Sequence, residues 1–225
     1  MQIKLKHSLN TYSYLVMFDL ATRVSGVCVW DLNTNTPILT KAIRTSDTAE
    51  LPALDLYDAL DSFFIELVQS GITLDTILVY QEAMPAQLHG GGSTVQTFIS
   101  LARSHAVLDL YTAQHNIAIY DYTGIYPVST HAYLRRVKGV DAQFKIDKNF
   151  IKIYIEGKYG LESLTYDEAD AVLLAETFVN IKWNKDLDVA IKDIKKHIKT
   201  LKDAHRITAL QQEIERLSAL RLQIC

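Results

Sequence analysis

The chain has 225 residues, of which 48% are hydrophobic and 22% are charged, and its formal net charge is −3. These values are ordinary for a globular protein, and the length suffices for one sizeable core with an appendage or for two small domains. No apolar run approaches the roughly 18 residues of a membrane span, and the N-terminus lacks the apolar core of a signal peptide, so we expect a cytoplasmic protein without a membrane partner. The cysteines, Cys28 and Cys225, offer neither a disulfide framework nor zinc-ligand spacing.

Charge is distributed unevenly along the chain. Residues 45–85 contain eight acidic residues and no Lys or Arg, whereas residues 131–158 contain seven basic and three acidic residues, a local charge of +4. The basic residues of this second segment are Arg135, Arg136, Lys138, Lys145, Lys148, Lys152 and Lys158. Such a split indicates a surface that binds a polyanion, although a solvated charged face is the commoner cause of a basic cluster.

The first apolar run of the chain contains an acidic residue. Residues 15–18 (LVMF) predict a buried strand, residues 27–30 (VCVW) its antiparallel partner, and residues 21–26 the turn between them. Asp19 follows the first strand directly, which places a carboxylate within a sheet. An ionised carboxylate is costly to bury unless it is paired or bound to a metal. The alternative is that Asp19 accepts hydrogen bonds from the turn that follows it.

Two further strands and a helix complete the first half of the predicted sheet. Residues 37–43 (PILTKAI) predict a third antiparallel strand, and residues 51–68 predict an amphipathic helix that ends at Gly71. Residues 76–80 (TILVY) predict a short buried strand, and Glu82 stands beyond its carboxyl end. In α/β sheets this edge is where ligands and catalytic groups gather.

The second half of the chain begins with a glycine-rich run at residues 89–93 (HGGGS), which we expect to be a loop. It lacks the Gly-Lys-Ser/Thr ending of a phosphate-binding loop. Residues 94–114 predict a long helix, and residues 117–120 predict a fifth strand. Residues 127–140 form a basic segment with one short helix, and residues 147–159 predict another helix with apolar residues on one face.

The clearest helix start in the sequence is TYDEADAVLLAETFV, which begins at Thr165. Thr165 and Glu168 have the spacing of a capping box. Asp167 and Asp170 lie three residues apart and therefore share one face of this helix. Asp167 alone could serve as a partner of the helix dipole, but apolar neighbours surround Asp170, and helix-end electrostatics do not explain a carboxylate there.

The chain from Asp186 onward contains no Gly or Pro. Its apolar residues alternate steps of four and three from Leu187 to Leu201 and again from Ile207, and an interval of six separates the two stripes. We predict two helices, or one helix with a discontinuity, as a coiled-coil-like tail at residues 186–225 that follows a domain at residues 1–185. For this tail we favour a role in dimerisation or DNA binding over an intramolecular hairpin.

Four acidic residues thus stand out: Asp19, Glu82, Asp167 and Asp170. A meander of three strands, a fourth strand beside it and a helix returning to the sheet bring all four to one edge. Crowded carboxylates repel one another unless divalent cations neutralise them, and oxygen ligands favour Mg²⁺ or Mn²⁺. Two such ions about 3.5 to 4 Å apart support phosphodiester hydrolysis.

This order of acids resembles the ribonuclease H-like superfamily and, within it, the RuvC family of Holliday-junction resolvases. The most similar stretch is Phe18–Val29 (FDLATRVSGVCV), where Asp19 matches the first metal ligand. Glu82 stands at the position of the second ligand, and Asp167 and Asp170 resemble the final pair. Lesser matches are Arg23, Ser25 and Gly26 in the first turn, Leu101, Ala102 and Arg103 in the following helix, and Lys148 as a basic catalytic residue near the scissile phosphate. Two features depart from the family's pattern. The first turn is not glycine-rich, because it begins Leu20-Ala21-Thr22, and the aromatic wedge expected shortly after Glu82 is absent from residues 83–92 (AMPAQLHGGG).

The resemblance implies a mixed five-stranded sheet flanked by helices, and a Mg²⁺-dependent endonuclease of bacteriophage type that resolves four-way (Holliday) junctions and other branched DNA. A homodimer would make the two matched cuts that a two-fold symmetric junction requires. From their charge, we expect Arg135, Arg136, Lys138, Lys145 and Lys148 to contact the DNA. The alternatives are another ribonuclease H-like nuclease, cutting RNA in hybrids or DNA flaps, and a non-catalytic DNA-binding or scaffolding protein that acts through its helical tail.

Overall fold

The computed structural model describes residues 12–46, 52–84, 95–201 and 203–222. Its centre is a five-stranded sheet with the order β3-β2-β1-β4-β5. The strands are β1 (Tyr14–Asp19), β2 (Val24–Asp31), β3 (Thr36–Arg44), β4 (Ile77–Gln81) and β5 (Ala118–Ile119). β1, β2 and β3 are antiparallel neighbours, whereas β4 is parallel to β1 and β5 is parallel to β4. The mixed five-stranded sheet expected from the sequence is therefore confirmed.

Seven helices surround the sheet in the described part of the chain. They are α1 (Pro52–Gln69), α2 (Val95–Gln114), α3 (Pro127–Lys138), α4 (Lys148–Tyr159), α5 (Tyr166–Phe178), α6 (Asn184–Ile198) and α7 (Ala204–Leu222). A π-helical turn at Val179–Trp183 joins α5 directly to α6. The glycine-rich run at residues 89–93 lies outside the described residues. None of the described helices is long and apolar enough to cross a membrane.

The core has two layers, one on each face of the sheet. Alternate residues of β1 point to opposite faces, so Leu15 and Met17 pack with α3 to α6, whereas Val16 and Phe18 pack with α1 and α2. All four side chains are fully buried. A strand covered on both faces has no solvent side, which explains why β1 is apolar throughout until it reaches Asp19.

β2 begins three residues earlier than the sequence pattern indicated. Val24, Ser25 and Gly26 were expected in the turn, but Gly26 pairs with Asp19 in the sheet. A Cβ atom on Gly26 would lie 1.9 Å from the backbone oxygen of Asp167. Glycine is therefore needed at position 26 for close approach, because it allows the first turn of α5 to rest directly on β2.

The C-terminal tail forms two helices, as expected, with the break between Ile198 and Ala204. The apolar stripe of α6 is buried in the core layer that contains Leu15 and Met17 of β1. Its residues are Leu187, Ala190, Ile191 and Ile194. From α7, Leu217 is buried in this core, and Leu210 and Ile214 pack against it. The stripes thus contact one another and the chain's own core as an intramolecular hairpin, rather than being left free for the intermolecular role that we favoured from the sequence.

Candidate active site

The carboxyl ends of β1 and β4 bring Asp19 and Glu82 together. The two strands are parallel neighbours, so the residues that follow them emerge at the same edge of the sheet. The Glu82 amide donates a 2.8 Å hydrogen bond to the carbonyl oxygen of Phe18, which continues the ladder to the residue before Asp19. The sequence-based pairing of these two acids is therefore realised in the structure.

Asp19 and Glu82 interact directly as a carboxyl pair. Burial, the charge of Glu82, the hydrogen bond to Glu82 and the charge of Asp170 together raise the pKa of Asp19 to about 9, although Lys148 opposes this rise. Burial also raises the pKa of Glu82, while the hydrogen bond from Asp19 lowers it. The pair therefore retains a proton at neutral pH, and Asp19 donates it to Glu82.

The first turn of α5 places the other two acids. Thr165 caps the helix, since its side-chain oxygen accepts from the Glu168 amide at 3.2 Å and its own amide donates to Glu168 Oε2 at 2.7 Å. Asp170 faces the first two acids. Burial raises its pKa, Lys148 opposes the rise, and Asp167 adds to it. Asp167 lies nearer the surface, with 32% of its side chain exposed.

Lys148 is the cation of the cluster. It opens α4, whose N-cap residue Asp147 accepts a 2.8 Å hydrogen bond from the Phe150 amide. The Lys148 Nζ atom lies 3.3 Å from Asp170 Oδ2 and 3.5 Å from Asp167 Oδ1. Burial alone would lower the pKa of Lys148, but the neighbouring carboxylates, Asp170 foremost, raise it. The Lys148 side chain therefore stays protonated as an ammonium ion beside the carboxylates of Asp167 and Asp170.

These groups share a cleft of about 460 Å³ between the sheet edge, α3, α4 and α5. Asp19, Glu82, Lys148 and Asp170 line it, and Asp167 stands beside it through its contact with Lys148. The further lining residues are Pro127, Thr130, His131, Lys145, Ile146, Asp147, Ile151, Leu173 and Leu174.

His131 is a cleft residue that the sequence analysis did not single out. Burial and the nearby Arg135 lower its pKa, whereas Asp170 raises it. The sequence signal was limited to the basic segment in which His131 lies. Its place in the cleft depends on how α3 packs against α5, which no local pattern specifies.

The basic residues expected to contact DNA do not form one patch. Lys145 and Lys148 line the cleft. The Arg135 Nε group donates to the carbonyl oxygen of Phe144 at 3.2 Å, and this bond holds the loop before α4. Arg136 lies over the Tyr133 ring, and Lys138 lies over the Tyr154 ring in a separate groove between α3 and α4.

The acid cluster fits a divalent cation by its chemistry. The described residues contain no group of three or more His, Cys, Asp or Glu side chains that could hold a metal ion as they stand. Instead, a proton links Asp19 to Glu82 and the Lys148 ammonium pairs with Asp167 and Asp170. These four carboxyl groups supply the hard oxygen ligands that Mg²⁺ and Mn²⁺ prefer, and a cation could replace the proton of the first pair.

Comparison with solved structures finds matches to this fold, and two of them are structures of RuvC. The chain aligns with the structure of Thermus thermophilus RuvC at a TM-score of 0.52, covering 75% of this chain and 96% of that one. It aligns with T. thermophilus RuvC in complex with a Holliday junction substrate at a TM-score of 0.51, covering 73% and 94% of the two chains. The fold is that of RuvC. Sequence identity is 10% in both cases, and no family model or curated protein matches the sequence.

Proposed function

We propose that this protein is a metal-dependent endonuclease that resolves four-way junctions and other branched DNA by paired phosphodiester hydrolysis. The observation that carries the proposal is the meeting of Asp19, Glu82 and Asp170 in one cleft at the carboxyl edge of a RuvC-fold sheet. Burial and the neighbouring carboxyl groups Glu82 and Asp170 raise the pKa of Asp19, and burial raises the pKa of Asp170, so the ionised, metal-free site is destabilised. Such an arrangement is typical of a functional site rather than of a structural one.

The metal ligands in this proposal are Asp19, Glu82, Asp167 and Asp170. When bound, two Mg²⁺ or Mn²⁺ ions would supply an activated water and stabilise the leaving oxygen of the phosphodiester. The chain itself would orient the DNA. Lys148 lies beside Asp170 and is placed to attract the scissile phosphate into the cleft.

The basic residues would hold the DNA backbone. Lys145 lines the cleft and Arg135 lies near the cleft residue His131, so both can contact phosphates near the site of cleavage. Arg136 and Lys138 are exposed near the end of α3, and Lys138 lines the groove between α3 and α4, so both would extend the contact along the arm of the substrate. Phosphate contacts position DNA but do not distinguish one sequence from another.

The proposal is tested by incubating the protein with five substrates of matched length: a four-way junction, a flap, a single strand, a linear duplex and an RNA–DNA hybrid. We expect junction cleavage with Mg²⁺, no cleavage with EDTA, and none by Asp19→Asn, which should still bind the junction. Cleavage restricted to the hybrid or the flap would favour a different ribonuclease H-like nuclease. Junction binding without any cleavage in Mg²⁺ or Mn²⁺ would favour a non-catalytic DNA-binding protein.

A further inference from the structure

A second groove lies between α3 and α4, and it shares no lining residue with the candidate active-site cleft. Its volume is about 420 Å³, within the range of roughly 300 to 1,000 Å³ that is usual for ligand pockets. Ile151 of α4 lines the cleft, whereas Phe150 and Ile153 line the groove, so the two sites use different faces of this helix. The further lining residues of the groove are Val137, Lys138, Tyr154, Gly157 and Lys158.

The groove has apolar walls that the described part of the chain leaves open to solvent. Val137 of α3 is 46% exposed, and Ile153 of α4 is 61% exposed. The ring of Phe150 lies 5.1 Å from that of Phe144, which is itself 40% exposed. Single exposed apolar residues are common on protein surfaces, but a contiguous group around a cavity is typical of a binding site. The walls therefore indicate a partner with an apolar side chain.

Gly157 keeps the groove open at a cost to α4. A glycine inside a helix is less stable than an alanine, and it is usually retained for close packing or for a left-handed backbone. Gly26 shows the first reason and Gly160, with φ +65°, the second. Neither applies to Gly157, because its φ is not positive and a Cβ atom there would have no heavy atom of the described residues within 4 Å. Space for a side chain from another molecule explains this glycine.

The rim of the groove is positively charged. The Lys138 ammonium lies 4.5 Å from the centre of the Tyr154 ring and forms no ion pair with the described residues. Lys158 differs, since its Nζ atom lies 2.9 Å from the buried carboxylate of Glu176. Lys138 alone can meet a carboxylate or a phosphate, but the apolar walls offer no donors to a DNA backbone. The lining therefore favours an acidic protein segment over DNA.

We infer that the groove between α3 and α4 binds a short acidic segment of another protein. The segment inserts a leucine or an aromatic side chain over Gly157, between Val137 and Ile153, and pairs a carboxylate with Lys138. An apolar anchor in a pocket supplies most of the affinity of such a contact, while the charge on the rim selects the partner. This inference does not depend on the proposed function, because the groove lies outside the acid cluster.

The experiment measures binding of two fluorescent peptide pools to the full-length protein by polarisation, without DNA. Both pools carry a central leucine, phenylalanine or tryptophan, flanked by aspartate and glutamate in the acidic pool and by lysine and arginine in the basic pool. We expect the wild type to prefer the acidic pool. Gly157→Leu fills the groove and should weaken this binding at least about 30-fold. Its unfolding temperature should stay equal or rise, because leucine favours helix, and its junction binding should stay the same.

The charge on the rim is tested by Lys138→Glu, which should weaken binding of the acidic pool about tenfold and strengthen binding of the basic pool. The matched control is Lys192→Glu, which makes the same charge change at an exposed position of α6 and should alter neither. If Gly157→Leu proves less stable than the wild type, Gly157→Ala replaces it. The alanine variant should unfold at a higher temperature and still bind the acidic pool more weakly.

Four results would overturn the inference. Equal or absent binding of the two pools by the wild type would exclude an acidic partner, and full binding by Gly157→Leu would place the peptide elsewhere. Weaker junction binding by Gly157→Leu would identify the groove as a DNA surface. A change in its sedimentation without peptide would identify a second copy of the chain as the occupant. Failure of the protein to cut branched DNA would leave the peptide result unaffected, so the two proposals fail separately.

Discussion

The shared proton of Asp19 and Glu82 makes cation binding dependent on pH. The pKa of Asp19 is raised to about 9, so this carboxyl is protonated at neutral pH in the metal-free protein. A cation must displace the proton, and its affinity should therefore rise as the pH increases from 6 towards 9. We expect the Mg²⁺ concentration that gives half-maximal junction cleavage to fall over this range.

Calorimetry in two buffers of different ionisation enthalpy would measure the displaced proton directly. About one proton should be released per site at pH 7. Release of no proton at pH 7 would show that the pair is already ionised. The same titration of Asp19→Asn should release fewer protons, which provides the matched control.

Asp19 also has a consequence for stability that can be separated from catalysis. Its folded-state pKa is above the unfolded value of 3.8, so the protonated carboxyl stabilises the fold at low pH. That contribution is fully present below pH 4 and is lost as the pH rises towards 9. Asn cannot ionise, and we expect Asp19→Asn to unfold at a higher temperature than the wild type in EDTA, with a difference that grows from pH 5 to pH 9.

The shift should be about 2 to 4 °C for each kcal/mol gained, given the size of the chain. Thermal unfolding followed by circular dichroism measures it. Asp75→Asn is the control, because Asp75 is exposed in the turn before β4 and should change little. An Asp19→Asn variant that is less stable than the wild type at pH 9 would show that the ionised carboxylate is stabilised by contacts other than those described.

The same residues show what sequence could and could not predict at this scale. Asp19 and Asp170 could be identified from the sequence because each is a carboxylate among apolar neighbours. This signal lies in adjacent positions of the chain and does not depend on tertiary structure. The resemblance placed Lys148 near the scissile phosphate, whereas its contacts with Asp167 and Asp170 required the structure. His131 gave no signal of its own, because its place in the cleft with Glu82 is set by the packing of distant elements.

A single carboxylate connects three helices of the site. Glu176 of α5 is completely buried, and its Oε1 atom accepts from the hydroxyls of Tyr133 and Tyr154 at 2.6 and 2.7 Å. Lys158 Nζ lies 2.9 Å from the same oxygen. These partners belong to α3 and α4, the helices that carry His131 and Lys148. Glu176 therefore helps to hold α3 and α4 in place on either side of the cleft.

We expect Glu176→Gln to lower the free energy of unfolding by about 1 to 3 kcal/mol, because a buried charge-assisted network loses its acceptor charge. The cost stays below that of a fully buried ion pair, since the Lys158 side chain is 40% exposed and can turn to solvent. Urea unfolding measures this loss. The control is Lys152→Gln, which breaks the Lys152–Glu156 pair, whose carboxylate is 24% exposed rather than fully buried, and should cost less than about 1 kcal/mol.

If Glu176 positions the site, Glu176→Gln should also slow junction cleavage under conditions where the variant is fully folded. Its effect should be much smaller in a Lys148→Ala background, because the cleft then has no ammonium to misplace. Equal losses in both backgrounds would mean that Glu176 contributes only to stability.

The helices and strands were predicted well from the periodicity of their apolar residues, but the surface on which the C-terminal tail packs was not. Steps of four and three mark an apolar helical stripe, and they look the same whether the stripe packs on another chain or on its own domain. The burial of Leu187 and Ile194 beside the sheet decides for the latter. Likewise, the capping box of α5 was visible in the sequence, whereas the place of its first turn on Gly26 required the structure.

At the scale of the whole molecule, the apolar stripes of the C-terminal tail pack on the chain's own core. A dimer is therefore expected to form through a different surface. Helix α2 has an exposed stripe of apolar residues on one side. Val95, Ile99 and Leu110 are 61%, 44% and 53% exposed, and Ala106 lies exposed on the same side. A two-fold symmetric junction requires two active sites that face it together. We therefore expect the α2 stripes of two copies to pair.

The test combines Ile99→Glu with Leu110→Glu and compares it with Ile65→Glu, which places the same charge at an exposed apolar residue of a different helix, α1. The double variant should dimerise at least about tenfold more weakly in sedimentation velocity, since two charges would face each other across the interface. The functional readout is a supercoiled plasmid with an extruded cruciform, in which one nick releases the supercoiling and removes the junction. A dimer that cuts both strands before this happens gives linear plasmid, whereas separated active sites give only nicked circles. Linear product at the wild-type ratio from the double variant would place the dimer contact on a surface other than α2.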